Sequence, residues 1–215
     1  VNTTTNFTLT NSGTIQALCW AAPNKLVDDD DKECTSGTGA QAIHVKGSGA
    51  TITNETDGII KADDNIIVLS ASDSTLTNRG QIISDDTSGS DEEYAIRVYT
   101  GAKRSNIHNY GTITTGYKTI LIDNSDNNNV TLTNYSGGTI TSYYRQSISI
   151  GSGVDGFTIN NNEGATIQTT GTNDGYGISM DGATNVTVVN GGTISSDING
   201  LRCQICAGVN FTNTG

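Results

Sequence analysis

Proline occurs once in the 215 residues, and so do tryptophan and methionine; apolar residues of every kind make up 33% of the chain. So little apolar material excludes a wide globular core and brings the composition close to that of disordered chains. No run approaches the ~20 apolar residues of a membrane-spanning helix. No charged-then-apolar segment opens the chain as a secretory leader would. Helical periodicity is missing from every window. Positive charge is scarce as well: 11 Lys and Arg against 22 Asp and Glu leave a net charge of −11. That balance disfavours nucleic acid and anionic membrane and favours basic partners. The two histidines, His44 and His108, sit alone on outward strand positions, so no zinc set, other metal site or cofactor motif is expected.

What the chain has in quantity is one recurring phrase. "FTLTNSGTI" (Phe7 to Ile15) returns as "STLTNRGQII" (Ser74 to Ile83), "SNIHNYGTI" (Ser105 to Ile113), "VTLTNYSGGTI" (Val130 to Ile140), "FTINNNEGATI" (Phe157 to Ile167) and "VTVVNGGTI" (Val186 to Ile194). A looser copy spans Ala50 to Ile60, and a truncated one closes the chain. The anchors are Asn11, Asn54, Asn78, Asn109, Asn134, Asn161, Asn190 and Asn213. After the first, long interval, the spacing runs from 23 residues (Asn190 to Asn213) to 31 (Asn78 to Asn109). A period of this size means stacked supersecondary units.

Each unit reads as three short strands and three turns. In "AIHVKGSGATITNETDGII" (Ala42 to Ile60), Ile43 and Val45 point one way and His44 and Lys46 the other; Ile52 and then Ile59-Ile60 supply the second and third strands. The expected fold is all-β: a single right-handed parallel β-helix over residues 1–215, of about seven to eight coils at about 4.8 Å per coil. Inward pairs on the first strands are Ile67 with Leu69, Ile96 with Val98, Ile120 with Ile122, Ile148 with Ile150, Ile178 with Met180, and Leu201 with Cys203. The anchor asparagines have two physical reasons to recur. Asn tolerates a left-handed backbone at a sharp turn, and stacked Asn side chains can hydrogen-bond along the axis.

Variation concentrates after the Ile strand. In a solenoid such connections emerge on one side, which makes that side the candidate binding surface. Asp28 to Asp31, Glu33, Asp63, Asp64, Asp85, Asp86, Asp91, Glu92 and Glu93 form an acidic set there, alternatively read as solvated loops; Tyr117, Tyr143, Tyr144 and Arg145 follow, the residue types of interaction hot spots, the tyrosines alternatively read as packing over the coil edge. An insertion at about 16–41 carries Cys19 and Cys34, and "CQIC" carries Cys203 and Cys206. Two local pairs without histidine partners read as disulfides of an oxidising compartment. Closing the first loop would contribute about 3 kcal/mol in the chain-entropy model. The second pair needs a turn, because residues i and i+3 of a straight strand face opposite ways.

The "TLTNxGTI" units in an acidic Gly/Thr/Asn-rich chain resemble the passenger domains of bacterial autotransporters. The resemblance covers nearly all of the chain and is one of repeat style, without a catalytic signature. It implies a right-handed parallel β-helix at the bacterial surface or released from it. It also implies a C-terminal outer-membrane barrel outside this sequence, and a host-cell surface protein or glycan as partner, engaged by an adhesin or a soluble receptor agonist. The chain opens and stops inside repeats, as a piece of a longer polypeptide does. The "GDSGS" of the serine-protease passengers is absent, and no enzyme is expected. The alternative is a polysaccharide lyase or hydrolase on the same fold, which needs clustered carboxylates and bases. Only Asp123 and Asp155 stand as strand-edge carboxylates, without an evident partner. An ice-binding Thr ladder is interrupted at Asn106 to His108 and at Thr187 to Val189.

Overall fold

The computed structural model describes residues 5–17, 40–84, 93–123, 129–171 and 175–215. These residues form three parallel sheets wound as one β-solenoid. Sheet I stacks Ile43–Val45, Ile67–Leu69, Tyr94–Val98, Lys118–Ile122, Ile148–Ile150, Tyr176–Asp181 and Asn199–Gln204. Sheet II has eight strands: Thr8–Asn11, Thr51–Asn54, Thr75–Asn78, Asn106–Asn109, Thr131–Asn134, Thr158–Asn161, Thr187–Asn190 and Asn210–Asn213. Sheet III stacks Thr14–Ala17, Ile59–Ala62, Gln81–Ile83, Thr112–Thr115, Thr139–Ser142, Thr166–Thr169 and Thr193–Ser195. The chain visits I, II and III in turn, so every connection of one type leaves the same corner.

Register explains the repeated phrase. Ile43, Ile67, Ile96, Ile120, Ile148 and Ile178 stand in one sheet I file, and all are fully buried. Ile52, Leu76, Ile107, Leu132, Ile159 and Val188 form the corresponding file in sheet II, and Ile60, Ile82, Ile113, Ile140 and Ile167 that of sheet III. With period-2 strands, each coil hides one or two aliphatics per side and turns its Thr, Gln or Ser outward. Truncating one such Ile to Ala costs about 2–5 kcal/mol, since its neighbours above and below cannot close the gap. Leu201 is only half-buried and Cys203 is exposed, against the inward role expected of both: they lie on the outermost strand of sheet I, with only Met180 and its strand beneath.

The anchor asparagines do one of the two things expected of them. Their side chains form an unbroken ladder in which each Nδ2 donates to the next Oδ1, at 2.7 to 2.9 Å, from Asn11 through Asn213. Nδ2 also reaches the carbonyl of the corner glycine in its own coil and that of the sheet III strand in the next, as Asn109 does with Gly111 at 3.1 Å and Thr139 at 3.2 Å. The left-handed backbone lies elsewhere. Asn6, Gly49, Asp73, Arg104, Asn129, Gly156, Asn185 and Gly208 all have φ between 52° and 75°, and each sits two residues before a sheet II strand. The I-to-II corner needs the positive φ; the anchors end regular strands and need only their amides. Glycine after the anchor answers a different demand, close approach: a Cβ on Gly111 would lie 2.1 Å from the Gly80 carbonyl oxygen.

Gln16 and Ala17 pair with Lys61 and Ala62 in sheet III, and residues 18–39 of the insertion lie outside the described residues. Cys19, Cys34, Asp28 to Asp31 and Glu33 lie outside the described residues, as do Asp85, Asp86, Asp91 and Glu92. Cys203 and Cys206 are joined by a disulfide, with Cα atoms 5.9 Å apart. The turn this requires is made at Ile205, whose φ is 53°.

Candidate functional site

The connection from Ser142 to Ser147 shows how a variable corner is aimed. Ser142 is fully buried, and its hydroxyl donates to the Tyr117 carbonyl of the preceding coil while accepting from Arg145 N at 3.2 Å. Tyr143 N donates to Thr115 O and Arg145 N to Tyr117 O, at 3.1 and 3.2 Å. The next coil presses in from the other side, where a Cβ on Gly171 would meet the Tyr143 carbonyl oxygen at 2.1 Å. With its backbone held between two coils, the turn sends its rings outward: Tyr143 is 42% and Tyr144 36% exposed.

Arg145 folds back over the Tyr117 ring, 5.2 Å from its centroid, and Lys118 Nζ lies 5.4 Å from the same ring. Tyr117 meets Tyr94 edge to face at 6.2 Å. Tyr94 in turn contacts Arg97 at 5.6 Å, and Arg97 lies 4.7 Å from the Tyr99 centroid. Arg97 also pairs with Asp123 at 2.8 Å. The result is a continuous strip, Arg145–Tyr117–Tyr94–Arg97–Tyr99, crossing the outer side of sheet I from its III-to-I corner to its I-to-II corner. Each cation over a ring is worth about 0.5–1 kcal/mol at such exposure. Tyr94 is buried and anchors the middle; Tyr99, at 41% exposure, marks the far end.

Of the residues singled out in the sequence, Tyr117 and Arg145 therefore come together, and Tyr143 and Tyr144 stand exposed on the same turn as Arg145. Glu93 does not join an exposed acidic surface: it is 3% exposed and its carboxylate accepts from the Ser84 hydroxyl at 2.7 Å. Tyr94, Arg97, Tyr99 and Lys118 were missed. For the first three the signal lay in "YAIRVY", where they alternate with or flank the inward Ile96 and Val98; Lys118 follows Tyr117 directly in the sequence.

A second ring cluster lies at the II-to-III corner, in the position just after the anchor Asn. Glu55 pairs with Arg79 at 3.6 Å, Arg79 lies 5.7 Å from the Tyr110 centroid, and Tyr110 stacks flat on Tyr135 at 4.1 Å. His108 is not alone here, as Tyr135 Oη is 3.3 Å from its Nδ1; burial lowers the His108 pKa and raises that of Tyr135. These groups spend their faces on each other. His44 likewise has a partner, with Nε2 2.9 Å from Ser70 Oγ.

Asp123 and Asp155, the two strand-edge carboxylates, are both engaged. Asp155 accepts from Asn185 Nδ2 and Thr184 Oγ1 at 2.8 Å each, and those donors hold its carboxyl below the usual range. Among the described residues no three His, Cys, Asp or Glu side chains come together to hold a metal ion.

The fold and the strip define a parallel β-solenoid with an aromatic–cationic face. No protein-family model, curated protein or solved structure matches the chain.

Proposed function

We propose that this chain is the surface-displayed or released passenger of a bacterial autotransporter, and that it binds a host-cell surface partner through the outer side of sheet I. The strip from Arg145 to Tyr99, flanked by Tyr143 and Tyr144, carries the reading. Exposed Tyr with Arg, set on a rigid sheet, offers large contact area at low ordering cost. The repeated phrase and the solenoid it builds suit an elongated stalk that presents one face. Binding is favoured over cleavage because Asp123 is committed to Arg97 and Asp155 to Asn185 and Thr184 as a structural acceptor.

The test is saturable binding of fluorescently labelled, purified protein to cultured epithelial cells, measured by flow cytometry with unlabelled protein as competitor. Competition at micromolar concentration or below supports the reading, and uptake that is unsaturable and uncompeted overturns it. Bacteria displaying the same chain, assayed in parallel, separate an adhesin from a soluble agonist: an agonist acts when free, an adhesin only when displayed.

A further inference from the structure

We propose that the Cys203–Cys206 disulfide is a redox-sensitive clasp: it holds the corner between Asn199–Gln204 and Asn210–Asn213 in its wound form, and its reduction lets the chain from Ile205 onward come off the coil beneath. Ile205 is the observation that carries this. Its φ of 53° lies in the left-handed region, where a β-branched residue is an outlier. Asn6, Asp73, Arg104, Asn129 and Asn185 are the other non-glycine residues at positive φ among those described, and none of them is β-branched. Asp181 pairs with Gln204, so Ile205 stands over Gly182, which turns the same corner of the preceding coil at φ 68°. Glycine adopts that conformation freely, whereas isoleucine brings its Cβ against the following carbonyl. Packing of the side chain does not offset this, because Ile205 is 85% exposed.

The two sulfurs straddle the strained residue. Cys203 pairs with Met180 of the inward file, and Cys206 packs half-buried against the core. The bond between them spans Gln204 and Ile205 and fixes the turn. A strained backbone persists only where its surroundings over-determine it, and the disulfide does so here. What hangs on the turn is the next stretch of the stack. Ala207, Asn210 and Thr214 donate their N–H groups to the Ala183, Val186 and Asn190 carbonyls at 3.2, 2.9 and 2.8 Å, and Asn190 Nδ2 donates to Asn213 Oδ1 at 2.7 Å. All four residues of Asn210–Asn213 are exposed, so little apolar burial holds the segment once the corner opens.

The chemistry is thiol–disulfide exchange with an external dithiol. Cys203 is the more exposed of the pair. A thiolate of the dithiol attacks Cys203 Sγ, the Sγ–Sγ bond breaks, and Cys206 leaves as a thiolate and takes up a proton. The second thiolate of the dithiol then attacks the mixed disulfide and releases Cys203 as a thiol. Two electrons and two protons pass from the dithiol, which ends as a disulfide. The clasp is closed in an oxidising compartment and opens in a reducing one.

The experiment is hydrogen exchange by mass spectrometry on the purified chain, with and without dithiothreitol. Cys203→Ser/Cys206→Ser and the same pair with Ile205→Gly added are measured beside it. Reduction should speed exchange over residues 205–214 about tenfold or more and leave Ile148–Ile150 unchanged. The double variant should exchange fast with or without reductant. The triple variant should exchange slowly in both conditions, because glycine makes the turn unaided. The reductant arm needs no substitution, so it decides the matter if the double variant fails to fold. The proposal is overturned by equal exchange in the oxidised and reduced parent, by acceleration that extends to Ile148–Ile150, or by a triple variant as fast as the double one.

Discussion

Asn78 donates its side-chain amide to Asn109 at 2.9 Å across 31 residues of chain, while Asn54 donates to Asn78 at 2.8 Å across 24. The rung stays constant while the connection between rungs changes length. Loop closure grows only slowly with loop size, so insertions are absorbed at the corners and the ladder keeps the register. All seven bonds point the same way along the axis.

Breaking the ladder in the middle should therefore be costly. Asn109→Ala leaves Asn78 Nδ2 without its acceptor and Asn134 Oδ1 without its donor, in a fully buried site, and should cost about 2–3 kcal/mol. Asn109→Asp should cost about 3–5 kcal/mol, because it sets a carboxylate oxygen against the Asn134, Gly111 and Thr139 oxygens that Nδ2 now serves. Urea denaturation midpoints of the two variants check the order.

The I-to-II corner predicts different outcomes for two residues that play the same part. Gly49 has φ 75°, and a Cβ there would lie 2.4 Å from Asn6 Oδ1, so Gly49→Ala should destabilise by about 1–2 kcal/mol. Asn129→Gly, at φ 59°, should change stability by less than about 0.5 kcal/mol, since it removes strain and a small side chain together. Thermal melts of both distinguish this corner from an ordinary strand end, where both substitutions would cost alike.

Protonation offers a third test. Burial depresses the His108 pKa below its ordinary 6.5, so in this pH range the unfolded chain takes up a proton more readily than the fold. Stability must then fall as pH drops through the ordinary histidine range and level off once the lowered value is passed. His108→Gln should remove this slope between about pH 7 and about pH 5. A slope that persists unchanged in the variant assigns the effect to other groups.

Much of this molecule was legible because its strands report their inward residues directly. Ile96, Ile120 and Ile148 could be aligned by eye, and the anchor Asn gave the coil its origin. The outer side was harder to read. That Tyr94 sits beside Lys118 depends on how coils of unequal length stack, and that register is set by the ladder and not by local spacing. The left-handed file was hidden for another reason: Asn, Gly, Asp and Arg all fill it, so no single letter marks the position. Asp73 and Arg104 occupy neighbouring places in that file and form a two-point ion pair at 2.7 and 2.8 Å, a contact invisible across their 31-residue separation.

The acidic connection leading into Tyr94–Val98 separates a basic partner from an acidic one. Replacing Asp85, Asp86 and Asp91 by Asn and Glu92 by Gln removes four negative charges. Attachment of a basic partner should weaken, whereas that of an acidic one should tighten, with either change shrinking as salt rises from about 0.05 M to about 0.5 M. Calorimetry at the two salt concentrations reads the sign.

The most direct measurement compares two faces of one molecule. One variant carries Tyr143→Ala, Tyr144→Ala and Arg145→Ala on the sheet I side; the other carries Arg79→Ala and Tyr110→Ala at the II-to-III corner, which removes as conspicuous an exposed aromatic–cationic pair. Both leave the inward files and the Asn ladder intact, so both should keep their β-sheet circular dichroism. Flow cytometry on epithelial cells should then show the first variant bound at least about tenfold more weakly than the parent chain and the second bound as tightly. Loss of binding in the second variant with retention in the first would place the working surface at the wrong corner and contradict a function carried by sheet I.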